Sequence, residues 1–263
     1  MPDVHYLNTL CWPDVDGLLR QDEPVAPLLA IGSTEQHGPH LPLGTDAFIV
    51  TEYAERLAKK IAERCPVLLL PPMPYGVSAH HLAFAGSLSL PAPVLVDIVV
   101  AVAASLRHHG LPKLILLNGH GGNVIPLKWA ARRLKDETGQ SPLLINYWTL
   151  VPDVVMETMT SQPLGHACEM ETSLMFVTKP DLVRTDRFGA PQLKPSPITT
   201  VAINSPYLVP TVDLELNFDE TTVNGAFGDP RPATREKGLR VLEESASRGA
   251  RAVWEYLGTG AAG

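Results

Sequence analysis

The chain has 263 residues, 45% of them hydrophobic and 19% charged, with a formal net charge of −7 at pH 7. The apolar content is sufficient for a sizeable core, and the negative charge argues against a nucleic-acid partner, because phosphate binding requires a basic surface. No apolar run approaches the ~20 residues of a membrane span, and the first residues lack the pattern of a signal peptide. Three cysteines, widely spaced, indicate neither a disulfide framework nor a metal pair, so we expect a cytoplasmic protein without a membrane partner.

Strand-like and helix-like segments alternate along most of the chain. A short helix-like patch at residues 12–20 is expected to cover the surface. Apolar runs typical of buried strands occur at residues 25–31, 67–70, 113–118 and 143–147. Helical periodicity occurs at residues 45–61, 91–107, 124–137 and 233–256. Residues 180–231 are rich in loops, with a candidate hairpin near residues 210–218.

This alternation is typical of βαβ units, so we predict a single-domain α/β fold over residues 1–263, with a mainly parallel sheet flanked by helices. Ligand sites in such folds lie outside the carboxyl ends of the strands. The loops that follow the strands at residues 25–31 and 113–118 both leave such ends. Both loops are therefore expected at one edge of the sheet, where their side chains can meet.

Glu35, His37 and Asp46 stand on the first of these loops, which is dense in proline and glycine. Divalent metals prefer oxygen and nitrogen ligands on a fixed backbone, and two carboxylates and an imidazole on a stiff loop provide them. Taken singly, Asp46 is typical of a helix N-cap, and Glu35 and His37 are typical of ordinary loop residues. Their combination at a strand end favours metal binding.

His120 lies between glycines directly after the strand at residues 113–118. The glycine spacing does not match G-x-G-x-x-G, and no G-K-[ST] follows, so a nucleotide-binding loop is disfavoured. A tight turn explains the glycines but not the central histidine. His120 is therefore a further candidate residue at the functional edge.

His166, Glu169 and Glu171 form a third cluster of candidate residues. If the segment begins a helix, Glu169 lies one turn from His166 and shares its face, whereas Glu171 points elsewhere. If the segment is a strand, Glu169 and Glu171 share one face. The pattern leaves both alternatives open, together with a third in which these acids only stabilise an exposed helix start.

Ser78, His80 and His81 lie on the loop after the strand at residues 67–70. They are candidate substrate-binding residues, although the pattern alone slightly favours an ordinary polar loop. Cys168, inside the third cluster, is a poor candidate nucleophile, because the sequence places no base beside it.

Three motifs follow one another along the chain: GSTEQHGPHLP at residues 32–42 with the later Asp46, NGHGGN at residues 118–123, and HACEMETS at residues 166–173. They closely resemble the motifs of the creatininase (creatinine amidohydrolase) family. The likeness keeps the family order and extends over nearly the whole chain. The resemblance implies a compact α/β fold, a two-metal site, hydrolysis of C–N bonds in amides or cyclic amides, and a homo-oligomer, often a hexamer.

The resemblance also implies roles for individual residues. The implied metal ligands are Glu35 and His120 for one ion, His37 for the other, and Asp46 as the bridge. His166 matches the catalytic histidine of the family. Trp148 matches a tryptophan of the substrate pocket.

Departures from creatininase itself bear on the ligand set and on the substrate. Gly122 stands where creatininase has a ligating glutamate, and we take Glu169 as the replacement, with Glu171 as the competing candidate. Residues 161–165 lack the tryptophan that covers creatinine, which argues against creatinine as the substrate. Cys168 stands where glycine is usual. The looser pattern is similar to that of the peptidase of mycofactocin maturation and of a formamide-cleaving enzyme of pyrimidine metabolism.

Two hypotheses from different classes follow. The first is a metal-dependent amidohydrolase that acts on a cyclic amide, a formamide or a peptide. It would use two divalent ions that bridge a hydroxide, with zinc expected first and manganese or iron as alternatives. His166 would donate a proton to the departing nitrogen, and Glu171, where it is not a ligand, would orient His166. The second hypothesis is a non-catalytic metal- or ligand-binding homologue, which Gly122 supports because a lost ligand can mean a lost ion; we favour the enzyme.

Overall fold

A five-stranded parallel sheet lies at the centre of the fold. The computed structural model describes residues 3–195, 197 and 214–259. The strands are β1 (Val4–Tyr6), β2 (Ala26–Ile31), β3 (Val67–Leu69), β4 (Ile115–Asn118) and β5 (Leu143–Asn146). Their spatial order is β1-β3-β2-β4-β5, and all neighbouring pairs are parallel.

Helices cover both faces of this sheet. In the described ranges they are α1 (Trp12–Leu19), α2 (Thr45–Ile61), α3 (Ala92–His108), α4 (Val124–Thr138), α5 (Pro152–Thr158), α6 (Glu169–Thr178), α7 (Phe218–Thr221) and α8 (Arg235–Leu257). The predicted α/β architecture with a mainly parallel sheet is confirmed. Within the same ranges, no helix combines the length and the apolar character needed to span a bilayer.

The sheet separates two apolar cores, because successive side chains of a strand point to opposite faces. In β2, Ala26, Leu28 and Ala30 belong to one core, and Leu29 and Ile31 belong to the other. The first core packs α2, α6 and α8 against the sheet, and α3 and α4 pack together over the second. All of β2 is buried, which explains why this strand is a continuous apolar run in the sequence.

Two local predictions differ from the structure. The sequence does not predict β1, which has only three residues and pairs only with β3 at the sheet edge, with Val4 opposite Val67. So short an edge strand has no periodic pattern to detect. Residues 210–213 of the candidate hairpin near residues 210–218 lie outside the described residues, residues 214–217 form no strand, and Phe218 begins a helix.

The chain connections reverse direction between β2 and β4. The chain leaves β2 through α2 to reach β3 on one side, and it leaves β4 through α4 to reach β5 on the other. The two strands pair at their carboxyl ends, with Ile31 opposite Asn118. Open parallel sheets bind ligands at this position. The register confirms that the loops after these two strands begin side by side.

Gly32 and Gly119 let the start of α2 approach the ends of β2 and β4 closely. A Cβ atom on Gly32 would lie 2.6 Å from the Cα of Ala47, and one on Gly119 would lie 2.6 Å from the Cβ of Val50. Contacts this short do not occur in packed proteins. The missing side chains therefore allow Asp46, in the first turn of α2, to lie against both strand ends.

We expect Gly119→Ala to destabilise the fold by about 1 to 3 kcal/mol, because the added methyl group overpacks the contact between β4 and α2. In a chain of this size the melting temperature should fall by roughly 2 to 12 °C. Thermal unfolding followed by circular dichroism measures the change. Gly121→Ala is the matched control in the same loop, because a Cβ atom there meets nothing within 4 Å. Equal melting temperatures of the two variants would contradict the close approach.

Candidate metal centre

The loop at residues 32–46 is held in shape by its own backbone. The N–H of Glu35 donates to the carbonyl of Leu43 at 2.9 Å. His37 pairs with Leu41 in a short antiparallel bridge. Glu35 and His37 are both fully buried, so the loop directs ionisable side chains into the protein and not into solvent.

Three overlapping groups of ionisable side chains converge at the sheet edge and together form the candidate metal centre. Within each group, one candidate ligand atom per residue lies within 4.8 Å of the others. The groups are Glu35 with Asp46 and His120, His37 with His166 and Glu171, and Glu35 with His81 and His166. Each member is also a site residue predicted from the sequence.

Asp46 lies between the first two groups. Its Oδ2 atom is 3.0 Å from Nδ1 of His120, and its Oδ1 atom is 3.1 Å from Nε2 of His37. On the other side of His120, Nε2 lies 3.2 Å from Oε2 of Glu35. Each oxygen of the Asp46 carboxylate thus faces a different imidazole, and this arrangement is suited to bridging two cations.

Two buried carboxylate oxygens among the described residues have no hydrogen-bond partner: Oε1 of Glu35 and Oδ2 of Asp46. Oε1 of Glu35 lies 3.1 Å from Nε2 of His81, and Oδ2 of Asp46 lies 3.0 Å from Nδ1 of His120. Neither pair has the geometry of a hydrogen bond. A buried charge without a donor is costly, and buried charges in proteins are paired or bind metals. The residues present therefore fit a divalent cation.

Three imidazoles are oriented in one manner. His37, His120 and His166 each place one ring nitrogen against a backbone carbonyl and direct the other toward a carboxylate. The accepting carbonyls are those of Glu35, Val77 and Gln36, at 3.1, 3.0 and 2.6 Å. Because a carbonyl can only accept, the nitrogen that faces it carries the hydrogen and the opposite nitrogen keeps its lone pair. Histidine ligands of metals are held in this way.

The clustered charges shift the pKa values at the centre. Burial lowers the pKa of His37, but the charge and hydrogen bond of Asp46 outweigh burial and raise it to about 9. Against the effect of burial, Glu35 and Asp46 raise the pKa of His120 well above its usual value. Burial raises the pKa of Glu171 to about 7. Without a cation, the carboxylates thus favour the protonated forms of His37 and His120, and a bound cation would take the place of those protons.

The loop after β3 contributes the three residues predicted to contact substrate. Oγ of Ser78 lies 2.5 Å from Oγ of Ser33 and 3.2 Å from Nε2 of His120. The ring of His80 lies nearly parallel to that of His120, with 5.8 Å between the ring centroids, and His81 belongs to one of the three groups. The structure places all three residues at the centre, and their contact with a substrate stays a prediction.

Two aromatic residues bear on the predicted substrate pocket, and the contact of Trp148 with a substrate stays a prediction. Trp148, the predicted pocket residue, packs edge-on against Tyr147 at 5.1 Å and against the first apolar core. The described ring contacts do not connect it with the three groups. Phe218 lies over the site instead, with its ring centroid 4.1 Å from that of His81 and 4.7 Å from that of His166. No local pattern marks Phe218, because it reaches the site from a distant segment.

Glu169, the predicted replacement ligand, lies outside the three groups. Its carboxylate accepts hydrogen bonds from the N–H groups of Thr160 (2.9 Å) and Ser161 (2.7 Å), and it pairs with Lys237. Its charge is therefore used within the fold. The sequence leaves open whether this segment begins a helix; α6 begins at Glu169, so His166 precedes the helix and does not share a helical face with Glu169.

Glu171, the competing candidate, takes the inward position. One of its oxygens accepts a hydrogen bond from the N–H of Ala167 at 2.5 Å. Ala167 has a positive φ of 53°, which turns the chain between His166 and the helix start. Glu171 and His166 consequently face the same point, together with His37.

Comparison with known proteins agrees with this geometry. Residues 8–253 match the family model of creatininase, described as creatinine amidohydrolase. The chain belongs to the creatininase family. It is 31% identical over 222 residues to the mycofactocin precursor peptide peptidase of Mycobacterium ulcerans, which covers 82% of this chain and 80% of that protein. It is 28% identical over 256 residues to the creatinine amidohydrolase of Pseudomonas putida, which covers 90% of this chain and 92% of that protein.

Solved structures of creatininase-family proteins share the fold. A creatinine amidohydrolase-like protein from Bacteroides fragilis NCTC 9343 superposes with a TM-score of 0.81 at 27% identity, over 98% of both chains. A manganese creatininase superposes with a TM-score of 0.78 at 26% identity, over 96% of this chain and 98% of that chain. A creatininase variant of Zn-Zn type superposes with a TM-score of 0.77 at 26% identity, over 95% of this chain and 97% of that chain.

Gly122 is a departure from creatininase that the structure explains. A Cβ atom at this position would lie 2.1 Å from the carbonyl oxygen of Val77 and 2.5 Å from Nε2 of His120. No side chain fits here unless the loop after β3 is displaced. In this family member, Glu171 brings a carboxylate toward the centre from α6 instead.

Cys168, which replaces the glycine usual in the family, is accommodated without strain. Its φ of −92° is one that any residue adopts. A Cβ atom on Gly228 would lie 2.2 Å from the Cβ of Cys168, so the cysteine side chain fills the space beside that glycine. Burial raises the pKa of its thiol to about 12, and a protonated buried thiol is not a nucleophile.

The variants Glu171→Gln and Glu169→Gln should show which of the two carboxylates binds metal and which one stabilises the fold. We expect Glu171→Gln to lower the number of metal ions bound per chain, because a neutral amide oxygen is a weaker ligand than a carboxylate. Glu169→Gln should retain the metal but lower the free energy of unfolding by about 3 to 5 kcal/mol, because it removes the counter-charge of Lys237. Elemental analysis and urea unfolding measure the two effects. Loss of metal from Glu169→Gln at unchanged stability would count against this assignment.

Proposed function

We propose that this creatininase-family enzyme hydrolyses the C–N bond of an amide with two divalent metal ions. One observation carries the proposal: Oε1 of Glu35 and Oδ2 of Asp46 are buried without a hydrogen-bond donor. They lie among imidazoles whose free nitrogens face the same carboxylates. The names of two relatives, a peptidase and an amidohydrolase, support hydrolysis of a C–N bond.

We assign the residues to the two ions from the carboxylate oxygens that the imidazole nitrogens face. One ion would lie between Glu35, Asp46 and His120, and the other between Asp46, His37 and Glu171. Asp46 would then bridge the two ions through its separate oxygens. The donor atoms are all nitrogen and oxygen, which suits zinc, manganese or iron, and we expect zinc first.

His166 is proposed to move the proton of the reaction. When bound, the two ions would supply a hydroxide nucleophile at neutral pH and polarise the substrate carbonyl. Nε2 of His166 donates its hydrogen to the carbonyl of Gln36 at 2.6 Å, so the lone pair on Nδ1 faces inward, 3.8 Å from Oε1 of Glu35. Nδ1 can therefore take up the proton that water releases on forming the hydroxide and pass it to the departing nitrogen.

Phe218 bears on the substrate class. Its ring lies against His81 and His166 and is half-buried, which provides an apolar wall at the centre. A planar amide, a small ring or the side chain of a peptide can pack against such a face. We therefore propose a cyclic amide, a formamide or a peptide as substrate, and we disfavour creatinine because residues 161–165 lack a tryptophan.

A non-catalytic metal- or ligand-binding homologue is the alternative. The contacts of His166 count against it, because a protein that only binds metal does not require an inward lone pair on a histidine outside the assigned ligand set. We further propose a homo-oligomer, with a hexamer favoured by the family resemblance, and a cytoplasmic location from the cysteine pattern. The net charge of −7 disfavours nucleic acid as a partner.

Asp46→Asn tests the two-ion centre. We expect the protein purified without chelator to hold two ions per chain, and the variant to lose both, because Asp46 faces both sets of ligands. Activity should fall by more than the ~10- to 100-fold typical of outer-shell substitutions. His109→Ala is the control, since His109 is an exposed histidine at the end of α3. Full activity after complete removal of metal would refute the proposal.

Phe218→Ala tests the proposed wall of the substrate site. Cyclic amides, formamides and short peptides are first screened with the metal-loaded protein. For the substrate found, we expect KM to rise up to about 10-fold in Phe218→Ala, because an aromatic contact contributes about 0.5 to 1.5 kcal/mol. Phe218→Tyr keeps the ring and should stay near the unsubstituted value. Turnover of no substrate class by a chain with two bound ions would favour the non-catalytic alternative.

A further inference from the structure

Among the four histidines of the three candidate ligand groups, one differs from the other three. His37, His120 and His166 each place a ring nitrogen against a backbone carbonyl. In contrast, Nδ1 of His81 lies 2.8 Å from the amide nitrogen of Gln36. We infer that Gln36 is a positioning residue that fixes the tautomer of His81, so that His81 presents an N–H and not a lone pair to the metal centre. The consequence for metal binding rests on the proposed function, whereas the position of the hydrogen does not.

The amide of Gln36 is oriented by two backbone groups of opposite polarity. Its Oε1 accepts a hydrogen bond from the N–H of Gly38 at 2.9 Å. Its Nε2 donates to the carbonyl of Gly225 at 3.1 Å. Exchanging the amide oxygen and nitrogen would place donor against donor and acceptor against acceptor. The amide nitrogen is therefore the atom that faces His81.

The amide nitrogen of Gln36 has two hydrogens, and one is donated to Gly225. Two ring nitrogens lie near the second hydrogen: Nδ1 of His81 at 2.8 Å and Nε2 of His166 at 3.1 Å. Nε2 of His166 already carries a hydrogen, which it donates to the carbonyl of Gln36. Nδ1 of His81 is the remaining acceptor, so the hydrogen of this neutral ring is on Nε2.

Packing holds the ring of His81 in this orientation. His81 is 1% exposed, and its ring stacks on that of Phe218 with 4.1 Å between centroids and 23° between planes. Turning the ring over would remove Nδ1 from Gln36 and Nε2 from Glu35 at once. The contact with Gln36 and the stack with Phe218 therefore act together on one ring.

The tautomer decides what His81 can do at the centre. Nε2 of His81 lies 3.1 Å from Oε1 of Glu35, and a ring nitrogen that carries a hydrogen cannot bind a metal ion. The group of Glu35, His81 and His166 therefore does not form a further cation position, although its atoms are close enough. His81 instead offers an N–H to a substrate oxygen at the centre.

Nitrogen-15 NMR of the full chain with labelled histidine tests the tautomer directly, because protonated and unprotonated ring nitrogens give distinct signals. We expect Nδ1 of His81 to be unprotonated and Nε2 to be protonated, in metal-free and in zinc-loaded protein. The signals of His81 are assigned by their loss in His81→Gln. A protonated Nδ1 on His81 in the unsubstituted protein overturns the inference.

Two variants of Gln36 test the positioning role. Gln36→Glu replaces the amide donor by an acceptor of the same shape and should move the hydrogen of His81 to Nδ1. Gln36→Met has a similar length but neither donor nor acceptor, so it controls for packing and should release the constraint, with the hydrogen of His81 shared between Nδ1 and Nε2. We expect kcat of Gln36→Glu to fall about 10- to 100-fold with a smaller change in KM, and kcat of Gln36→Met to fall less. The same tautomer and the same kcat in both variants would reject the role of Gln36.

The outcomes for His81 and for the proposed function are separable, because the NMR measurement requires no turnover. If His81 shows the expected tautomer but the protein binds no metal, the positioning of His81 by Gln36 is supported and the two-ion hydrolase is rejected. If the protein binds two ions and turns over substrate but Nδ1 of His81 is protonated, the hydrolase is supported and the positioning is rejected.

Discussion

The centre depends on negative charge that the fold buries without fully pairing it. Glu35, Asp46 and Glu171 converge at one edge of the sheet, and two of their oxygens have no hydrogen-bond donor among the described residues. Burying carboxylates together is unfavourable because desolvation and mutual repulsion act in the same direction. Protons limit this cost when no cation is bound, and Asp46 raises the pKa of His37 to about 9 against the effect of burial. Loading the centre is therefore an exchange of protons for cations.

The fold supplies the positions at which this exchange occurs. Glu35 and His120 follow two strands whose ends are paired, and Asp46 reaches them because α2 begins directly against Gly32 and Gly119. Backbone carbonyls then orient three of the four imidazoles in the candidate ligand groups. The proposed ligands, placed by strand ends and by main-chain contacts, would thus be held before any ion binds, which would reduce the ordering that binding requires.

Much of this could be predicted from the sequence, because local pattern determines it. Long apolar runs predict the central strands, and the residues directly after them are the candidate ligands on the two loops. The choice between Glu169 and Glu171 could not be predicted, because it depends on the residue at which α6 begins and on the positive φ of Ala167. Phe218 and the tautomer of His81 depend on contacts between distant segments, which no local pattern records.

The two glutamates of the third motif place a proposed ligand and a structural carboxylate within one turn of helix. Glu171 faces the centre, whereas Glu169 binds two backbone N–H groups and Lys237 of α8. These contacts tie the first turn of α6 to residues 160–161 and to α8. Gly122 leaves no space for a side chain, so the carboxylate comes from another element while the centre keeps its charge. The constraint on the centre is thus the number and position of its carboxylates, and the chain can meet it from different segments.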